Sequence, residues 1–313
     1  MRVAVVGTGV IGASWAALFL AHGHDVIATD PSPGAEEALR TAVAAHWPAL
    51  ERAGLRSGAS QDRLSFTAAA GEAVRGAEFV QENGPERTEV KDALFALLDE
   101  AAPPRTVLAS SSSGITPTRI QQACGRHPER VLVGHPFNPP HLIPLVEVVP
   151  GGATDEASVR AVMEVYSSLG RRPVRVRREL PGHLANRLQA ALWREAYSLV
   201  ASGAASVADL DAVIAHGPGL RWALLGPFVN QHLSGGPGGI AHILEHLGPP
   251  TEDIWDDLGD PRLTPELIRT IVTGVDDELH GIDPAELVAE RDELLQLLIT
   301  AKAATSTLRG STP

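Results

Sequence analysis

Residues 7 to 12 constrain the fold of this chain more than any other stretch. Gly7, Gly9 and Gly12 form Gly-Thr-Gly-Val-Ile-Gly directly after the apolar run Arg2 to Val6 and directly before a helical pattern in which Ile11, Trp15, Leu18 and Phe19 recur. In a strand, turn and helix context this spacing has a mechanical meaning. The first glycine permits the tight turn, the second lets backbone N–H groups approach a pyrophosphate, and the third allows close helix–sheet contact. Val10 and Ile11 then open a helix whose N-terminus faces the phosphates. Asp30 closes the next strand, 23 residues after Gly7. An acidic side chain there accepts hydrogen bonds from the adenosine ribose hydroxyls and repels a 2′-phosphate. No arginine follows in Pro31-Ser32-Pro33 to compensate, so the expected cofactor is NAD rather than NADP.

The first half alternates short β-branched runs with longer amphipathic segments, the pattern of βαβ units around a parallel sheet. Strands are expected at Arg2 to Val6, Asp25 to Thr29, Glu78 to Gln81, Thr106 to Ala109, Val131 to Gly134, Leu145 to Val149 and Pro173 to Val176. Helical spacing links Leu39, Val43 and Leu50, and later Val159, Val162, Tyr166 and Leu169. After Val176 a charged stretch ends in Pro181-Gly182, and strand-like runs cease. Leu184, Leu188, Leu192 and Leu199 share a helix face, further helices are expected at Val207 to Ala215 and Pro284 to Ala303, and Gly235 to Gly239 and Pro249 to Pro250 look like loops. The expected class is α/β, a Rossmann-type, doubly wound, mainly parallel sheet over residues 1–182 followed by an all-helical domain over 183–313.

Length and charge bound the partners. The 313 residues suffice for two domains, and 44% apolar content can fill a core in each. A net charge of −12 repels phosphate backbones and anionic headgroups, so neither nucleic acid nor a membrane surface is expected as a partner. The single cysteine, Cys124, excludes an intramolecular disulfide and a multi-cysteine metal site. His242 and His246 sit four apart without the glutamate or third ligand of a zinc site, and no metal is expected. With no leader-like or membrane-spanning apolar run, a cytoplasmic protein is the expectation.

Gly134-His135-Pro136-Phe137-Asn138-Pro139-Pro140, followed by Leu145-Val146-Glu147-Val148-Val149, resembles the active-site segment of the 3-hydroxyacyl-CoA dehydrogenase superfamily. Gly12-Ala13-Ser14-Trp15, Trp47-Pro48-Ala49-Leu50 with Gly58 to Leu64, and Gly219-Leu220-Arg221-Trp222 leading to Gly226-Pro227 are similar to the branch of L-carnitine and L-gulonate 3-dehydrogenases, the latter including λ-crystallin. The resemblance runs from Arg2 to about Leu279. It implies that His135 is the catalytic acid–base and Glu147 its orienting carboxylate. It places Ser113 and Asn186 near the substrate oxygen, and Glu86 and Lys91 near the cofactor. It also implies a homodimer through the helical domain, and the stripe Leu287, Leu294, Leu297 and Leu298 is compatible with one. Where the family usually has an aromatic after Pro-Gly, this chain has His183, and its Asn-Pro segment is extended by Pro140 and His141.

Oxidising a secondary alcohol removes a proton from oxygen and a hydride from carbon. Imidazole suits the proton because its ordinary pKa of about 6.5 lies near working pH. Glu147 can fix the tautomer and stabilise the imidazolium, and Ser113 and Asn186 can hydrogen-bond the oxygen. Arg221 is a candidate for a substrate carboxylate, with Trp222 or Trp193 facing the rest of the molecule. A Ser113, His135, Glu147 hydrolase triad is set aside because the serine lacks the Gly-x-Ser-x-Gly elbow. The expected activity is NAD-dependent interconversion of a 3-hydroxy and a 3-keto group on a small molecule such as carnitine or a sugar acid. The alternatives are a ketoreductase on a β-keto polyketide or acyl-CoA thioester and, from another class, a crystallin-like NAD-binding protein with vestigial activity.

Overall fold

The computed structural model describes residues 1–308; the last five positions of the expected helical domain, 309–313, lie outside the described residues. The chain divides into two compact units, Met1–Arg187 and Leu188–Pro313.

The first unit runs β1 (Arg2–Val6), α1 (Val10–Ala21), β2 (Asp25–Thr29), α2 (Ala35–Ala53), β3 (Leu64–Thr67), α3 (Ala70–Val74), β4 (Phe79–Glu82), α4 (Thr88–Ala101), β5 (Val107–Ser110), α5 (Pro117–Gln121), β6 (Val131–Pro136), β7 (Leu145–Pro150), α6 (Glu156–Ser168) and β8 (Arg172–Arg175). The strands form one eight-stranded sheet in the order β3-β2-β1-β4-β5-β6-β7-β8. Neighbours are parallel except β6 and β7, which pair antiparallel. The order reverses between β1 and β4. In open α/β sheets that reversal leaves a crevice beyond the carboxyl ends of the strands, where ligands bind.

Both faces of the sheet are covered, which is why its inner strands read as continuous apolar runs rather than alternating ones. In β1, Val3 and Val5 point into a core with α1, α2 and α6, whereas Ala4 and Val6 point into a second core with α3, α4 and α5. Helix α1 is buried on every side from Gly12 to Ala21. Trp15 on α1 stacks on Phe19 at 5.8 Å and on Tyr166 of α6 at 5.3 Å. The nucleotide-binding turn is thus anchored at the centre of the larger core. Sequence reading missed β3, a four-residue edge strand in which only Leu64 is buried, so its pattern carries little signal.

Helix α7 (Ala185–Ala201) begins in the first unit, and α8 (Val207–His216), α9 (Pro218–Leu224), α10 (Pro227–Ser234), α11 (Gly239–Asp257), α12 (Pro265–Glu278) and α13 (Pro284–Ala304) complete the second. Pro218, Pro227, Pro265 and Pro284 stand in the first turns of their helices, where a missing N–H costs nothing. Ser206 and Asp209 close a reciprocal capping box on α8. The loop expected at Pro249-Pro250 is instead inside α11. The helix runs through both prolines with two fewer backbone donors. Gly235 to Gly239 does break the helices, around a short 3₁₀ turn at Gly236–Gly238. Among the described residues from Leu188 onward, only Gly235, Gly239 and Leu267 are buried. Helical amphipathicity is present, but the apolar faces stay uncovered within the chain.

Candidate active site

The glycine turn has the shape that a pyrophosphate needs. Gly7 has φ +84°, and a Cβ there would lie 2.8 Å from the backbone carbon of Asn83; a Cβ on Gly12 would lie 1.9 Å from the carbonyl oxygen of Gly7. A Cβ on Gly9 would meet nothing within 4 Å, so the second glycine fronts open space at the start of α1. The first-turn amides of α1, from Val10, Ile11 and Gly12, have no carbonyl of their own helix to bond. Val10 is 71% exposed, at the lip of the turn.

Asp30 follows β2. One of its oxygens accepts the amide of Thr8 at 2.9 Å, and the other accepts the amide of Ser32 at 2.9 Å. Partial burial pushes its carboxyl up, but the bonds from Thr8 and Ser32 outweigh this and hold it below the ordinary carboxylate range. An ionised acceptor therefore stands beside the glycine turn. The donors in this cradle suit a pyrophosphate, and the carboxylate suits a ribose.

Lys91 is placed differently from an exposed cofactor ligand. Its ammonium lies 2.7 and 2.8 Å from the two carboxylate oxygens of Glu82 and 3.1 Å from the carbonyl oxygen of Gly84. Both side chains are buried, and Ser110 and the Gly84 amide also donate to Glu82. The pair fixes the end of β4 and the turn through Asn83, against which Gly7 packs. Glu86, the other residue expected near the cofactor, accepts the Ser112 hydroxyl at 2.6 Å and the amides of Gly114 and Ile115 at 2.7 and 3.1 Å. It organises the serine loop after β5. Ser113 lies exposed in that loop between two residues that Glu86 holds.

His135 and Glu147 face each other across the antiparallel β6–β7 pair, in direct register. The imidazole Nδ1 lies 3.0 Å from a Glu147 oxygen, and both side chains are buried. The other Glu147 oxygen accepts the amides of Leu184 and Ala185 at 2.8 and 3.0 Å, at the start of α7. Helix N-termini carry unpaired donors and a partial positive charge. Burial pushes the Glu147 carboxyl up, but the bonds from His135, Ala185 and Leu184 together hold it below its ordinary range. An ionised Glu147 is an acceptor only, so Nδ1 of His135 carries the hydrogen and Nε2 keeps a lone pair when the ring is neutral. That tautomer can take a proton from an alcohol. Asn186 lies half-buried in the first turn of α7, next to the amides that hold Glu147.

Several further buried contacts in the first unit involve groups not singled out for a role in the sequence. Ser14 of α1 hydrogen-bonds both the ring Nδ1 and the backbone amide of His141, at 2.8 and 2.9 Å. The extension after Asn-Pro is thereby pinned to the cofactor helix. Arg171 reaches the carbonyl of Pro140 at 2.9 Å and those of Leu142 and Ile143 at 3.4 Å, and burial lowers its pKa to about 10. Gln81 on β4 links Tyr166 of α6, Ser111 just after β5 and the carbonyl of Gly134 on β6, the residue before His135. No local spacing announces these contacts, because each joins residues far apart in the chain. Arg221 and Trp222 on α9 and Trp193 on α7 are exposed in the second unit.

The model of the 3-hydroxyacyl-CoA dehydrogenase NAD binding domain matches residues 2–180, and that of the C-terminal domain matches residues 182–268. This chain belongs to the 3-hydroxyacyl-CoA dehydrogenase family. It is 52% identical to an L-carnitine dehydrogenase of Streptomyces griseus over 93% of its own length and 87% of that protein. With an L-carnitine dehydrogenase of Pseudomonas putida it shares 45% identity over 98% of this chain and 95% of the other. Among solved structures, the NAD⁺-dependent dismutase FHMPC 5-dehydrogenase superposes with a TM-score of 0.81 at 29% identity, covering 99% of both chains. The 3-hydroxybutyryl-CoA dehydrogenase of Escherichia coli K12 gives 0.64 at 34% identity, over 75% of this chain and 49% of that one. The protein is therefore an NAD-dependent oxidoreductase of a family that acts on 3-hydroxy groups, with a Rossmann domain and a helical domain.

Proposed function

We propose that this enzyme oxidises the 3-hydroxyl of L-carnitine to the 3-ketone, with His135 as general base and Glu147 as its orienting partner. The observation that carries the mechanism is the buried contact between His135 Nδ1 and Glu147, with the carboxylate seated on two amides at the start of α7. Bound NAD would supply the acceptor for the hydride that leaves the substrate carbon. His135 Nε2 takes the hydroxyl proton, and the buried carboxylate stabilises the imidazolium that results. In the reverse direction the imidazolium returns the proton to the developing alkoxide. Ser113 and Asn186 donate to the substrate oxygen. Asp30 would hold the ribose, and the glycine turn and the α1 amides would hold the pyrophosphate; Lys91 keeps the Glu82–Gly84 turn in shape, and Glu86 organises the serine loop.

Carnitine itself is supported by the two dehydrogenase relatives of nearly the same length. Arg221 is suited to its carboxylate, and the face of Trp222 or Trp193 to its quaternary ammonium, an attraction of roughly 0.5 to 2 kcal/mol. The active form in this reading is a cytoplasmic homodimer. Leu188, Phe228, Leu233, Trp255, Leu294 and Leu297 are each at least 60% exposed in the helical unit, an apolar surface that a second copy would cover. Initial rates of NADH formation on L-carnitine, L-gulonate and 3-hydroxybutyryl-CoA test the assignment. Carnitine should exceed the others in kcat/KM by at least about tenfold, about 1.4 kcal/mol. A thioester preference would replace it with the acyl-CoA reading, and binding of NADH without turnover on any substrate would replace it with the non-catalytic one.

A further inference from the structure

The part of β6 that carries His135 overhangs the sheet. Its ladder with β5 ends at Val133, opposite Ser110, the last residue of β5. Gly134, His135 and Pro136 run past that end, paired with Val148, Glu147 and Val146 of β7. Across the gap, Gln81 reaches the Gly134 carbonyl at 3.4 Å. A segment with a ladder on one edge is less restrained than one inside a sheet, so the tip of the hairpin decides where it points. That tip is the connection 137–144.

Two groups fix the tip. Arg171, just before β8, gathers the carbonyls of Pro140, Leu142 and Ile143. Ser14 of α1 holds His141, which stands midway along the chain between His135 and Glu147. Both side chains are buried. The hydroxyl oxygen accepts the His141 amide at 2.9 Å, and its one hydrogen has the Nδ1 lone pair of the same residue within reach at 2.8 Å. One small side chain thus satisfies two buried groups. The ring lies against His46 of α2, with centroids 4.1 Å apart. Ser14 is four residues after Val10, about one helical turn from the α1 amides at the glycine turn. Strand alternation places Leu132 and Val148 in the core with α1, α2 and α6, and Val133 and Val149 in the core with α3, α4 and α5. His135 and Glu147 share the parity of the second set. Ser14 therefore acts on the hairpin from the face opposite the acid–base pair.

We propose that Ser14 is a positioning residue for the oxidation: through His141 it fastens the overhanging hairpin to the cofactor helix, so that His135 keeps one place relative to the glycine turn. Removing the hydroxyl leaves the His141 amide and Nδ1 buried without that partner, and the tip relaxes. The His135–Glu147 contact, on the other face, is left as it is. The loss is one of aim rather than of acid–base strength, and a displacement of about 1 Å between reacting groups costs up to about 10²-fold in rate. This inference rests on the acid–base role proposed for His135. The His135→Gln comparison tests that role, whereas exchange of the His141 amide is read without turnover, so the two can fail separately.

At saturating cofactor, Ser14→Ala should lower kcat for oxidation by about 10- to 100-fold and raise the primary deuterium isotope effect on kcat, because hydride transfer becomes the slower step. The inflection of the pH profile should stay where it is in the wild type, since the His135–Glu147 contact is kept. A kcat within about threefold of wild type, with a lowered thermal midpoint, would make the contact a matter of stability alone. A moved inflection would place the damage in the pair itself. Either result overturns the proposal. Two further measurements do not need that variant to fold. His141→Asn puts an oxygen near the place of Nδ1 and should turn over faster than His141→Leu, whereas equal losses would refute the role of the Ser14 bond. In the wild type, the His141 N–H exchanges with solvent when its bond to Ser14 opens. NADH, bound at the N-terminus of α1, should slow that exchange by about fivefold, and by reciprocity Ser14→Ala should bind NADH about fivefold more weakly. An exchange rate that is the same with and without NADH would overturn the proposal.

Discussion

Replacing Glu147 by Gln removes one charge while leaving volume and shape nearly intact. The buried carboxylate accepts three hydrogen bonds, from His135 Nδ1 at 3.0 Å and from the amides of Leu184 and Ala185 at 2.8 and 3.0 Å. The amide oxygen of Gln can keep the two backbone donors, which directs its NH₂ group at the imidazole. Nδ1 must then give up its hydrogen, and the ring is left with Nε2–H, the tautomer that cannot accept the substrate proton. A hydrogen bond to a charged group is worth roughly 1.5 to 3 kcal/mol, and at about 1.4 kcal/mol per decade its loss alone slows kcat by about 10- to 150-fold. Because Glu147 is 2% exposed, water has little access to substitute for the carboxylate. Tautomer inversion adds to the loss, so the expected fall in kcat for oxidation is at least about 10²-fold, with NADH affinity unchanged. The assay is steady-state NADH formation together with NADH fluorescence titration on the same preparation. A kcat within about threefold of wild type, below even the hydrogen-bond loss, would refute the reasoning.

Asp30→Ala should narrow the preference for NAD over NADP, which in the wild type should be at least about tenfold in kcat/KM; an unchanged ratio would remove Asp30 from ribose recognition. Arg221→Ala should raise KM for a carboxylate-bearing substrate by about 10- to 150-fold with KM for NAD unmoved. An altered oligomer with every KM intact would assign Arg221 to the subunit surface instead. Asp99 is pushed up by burial, but the amides of Arg126 and His127 and the guanidinium of Arg130 bond it and hold its carboxyl below the ordinary 3.8. A carboxyl depressed in the folded state contributes stability that is full above its unfolded pKa and is lost as pH falls through the folded one. Asp99→Asn should therefore flatten the acid limb of the thermal midpoint against pH below about pH 4, whereas parallel limbs would contradict the assignment.

The legible parts of the chain were those whose chemistry is local. Gly7, Gly9 and Gly12 sit within one turn, and their steric role follows from spacing alone. His135 and Glu147 were readable only through family resemblance, since nothing in a Val-Glu-Val run says which strand lies opposite. The antiparallel β6–β7 register supplies that. Lys91 illustrates the opposite case. A lone lysine near the cofactor turn suggests a ligand, but its three donors go to Glu82 and Gly84. The partner is nine residues away on a strand whose end the sequence placed one residue short. Pro249 and Pro250 misled because the helix tolerates what propensity disfavours. His183 stood out as a departure from the family, but its partner, the carbonyl of Ser112, lies 71 residues away in the chain.

The most direct measurement compares wild type with His135→Gln for NADH formation from the 3-hydroxy substrate, alongside NADH affinity, across pH in both directions. Removing the proton acceptor while keeping a polar side chain of similar size should lower kcat by about 10² to 10⁴ and leave cofactor binding intact. In the wild type, kcat/KM should rise with pH for oxidation and fall for reduction, and both dependences should vanish in the variant. Near-normal turnover by His135→Gln, or an unchanged pH profile, would contradict the acid–base role of the His135–Glu147 pair.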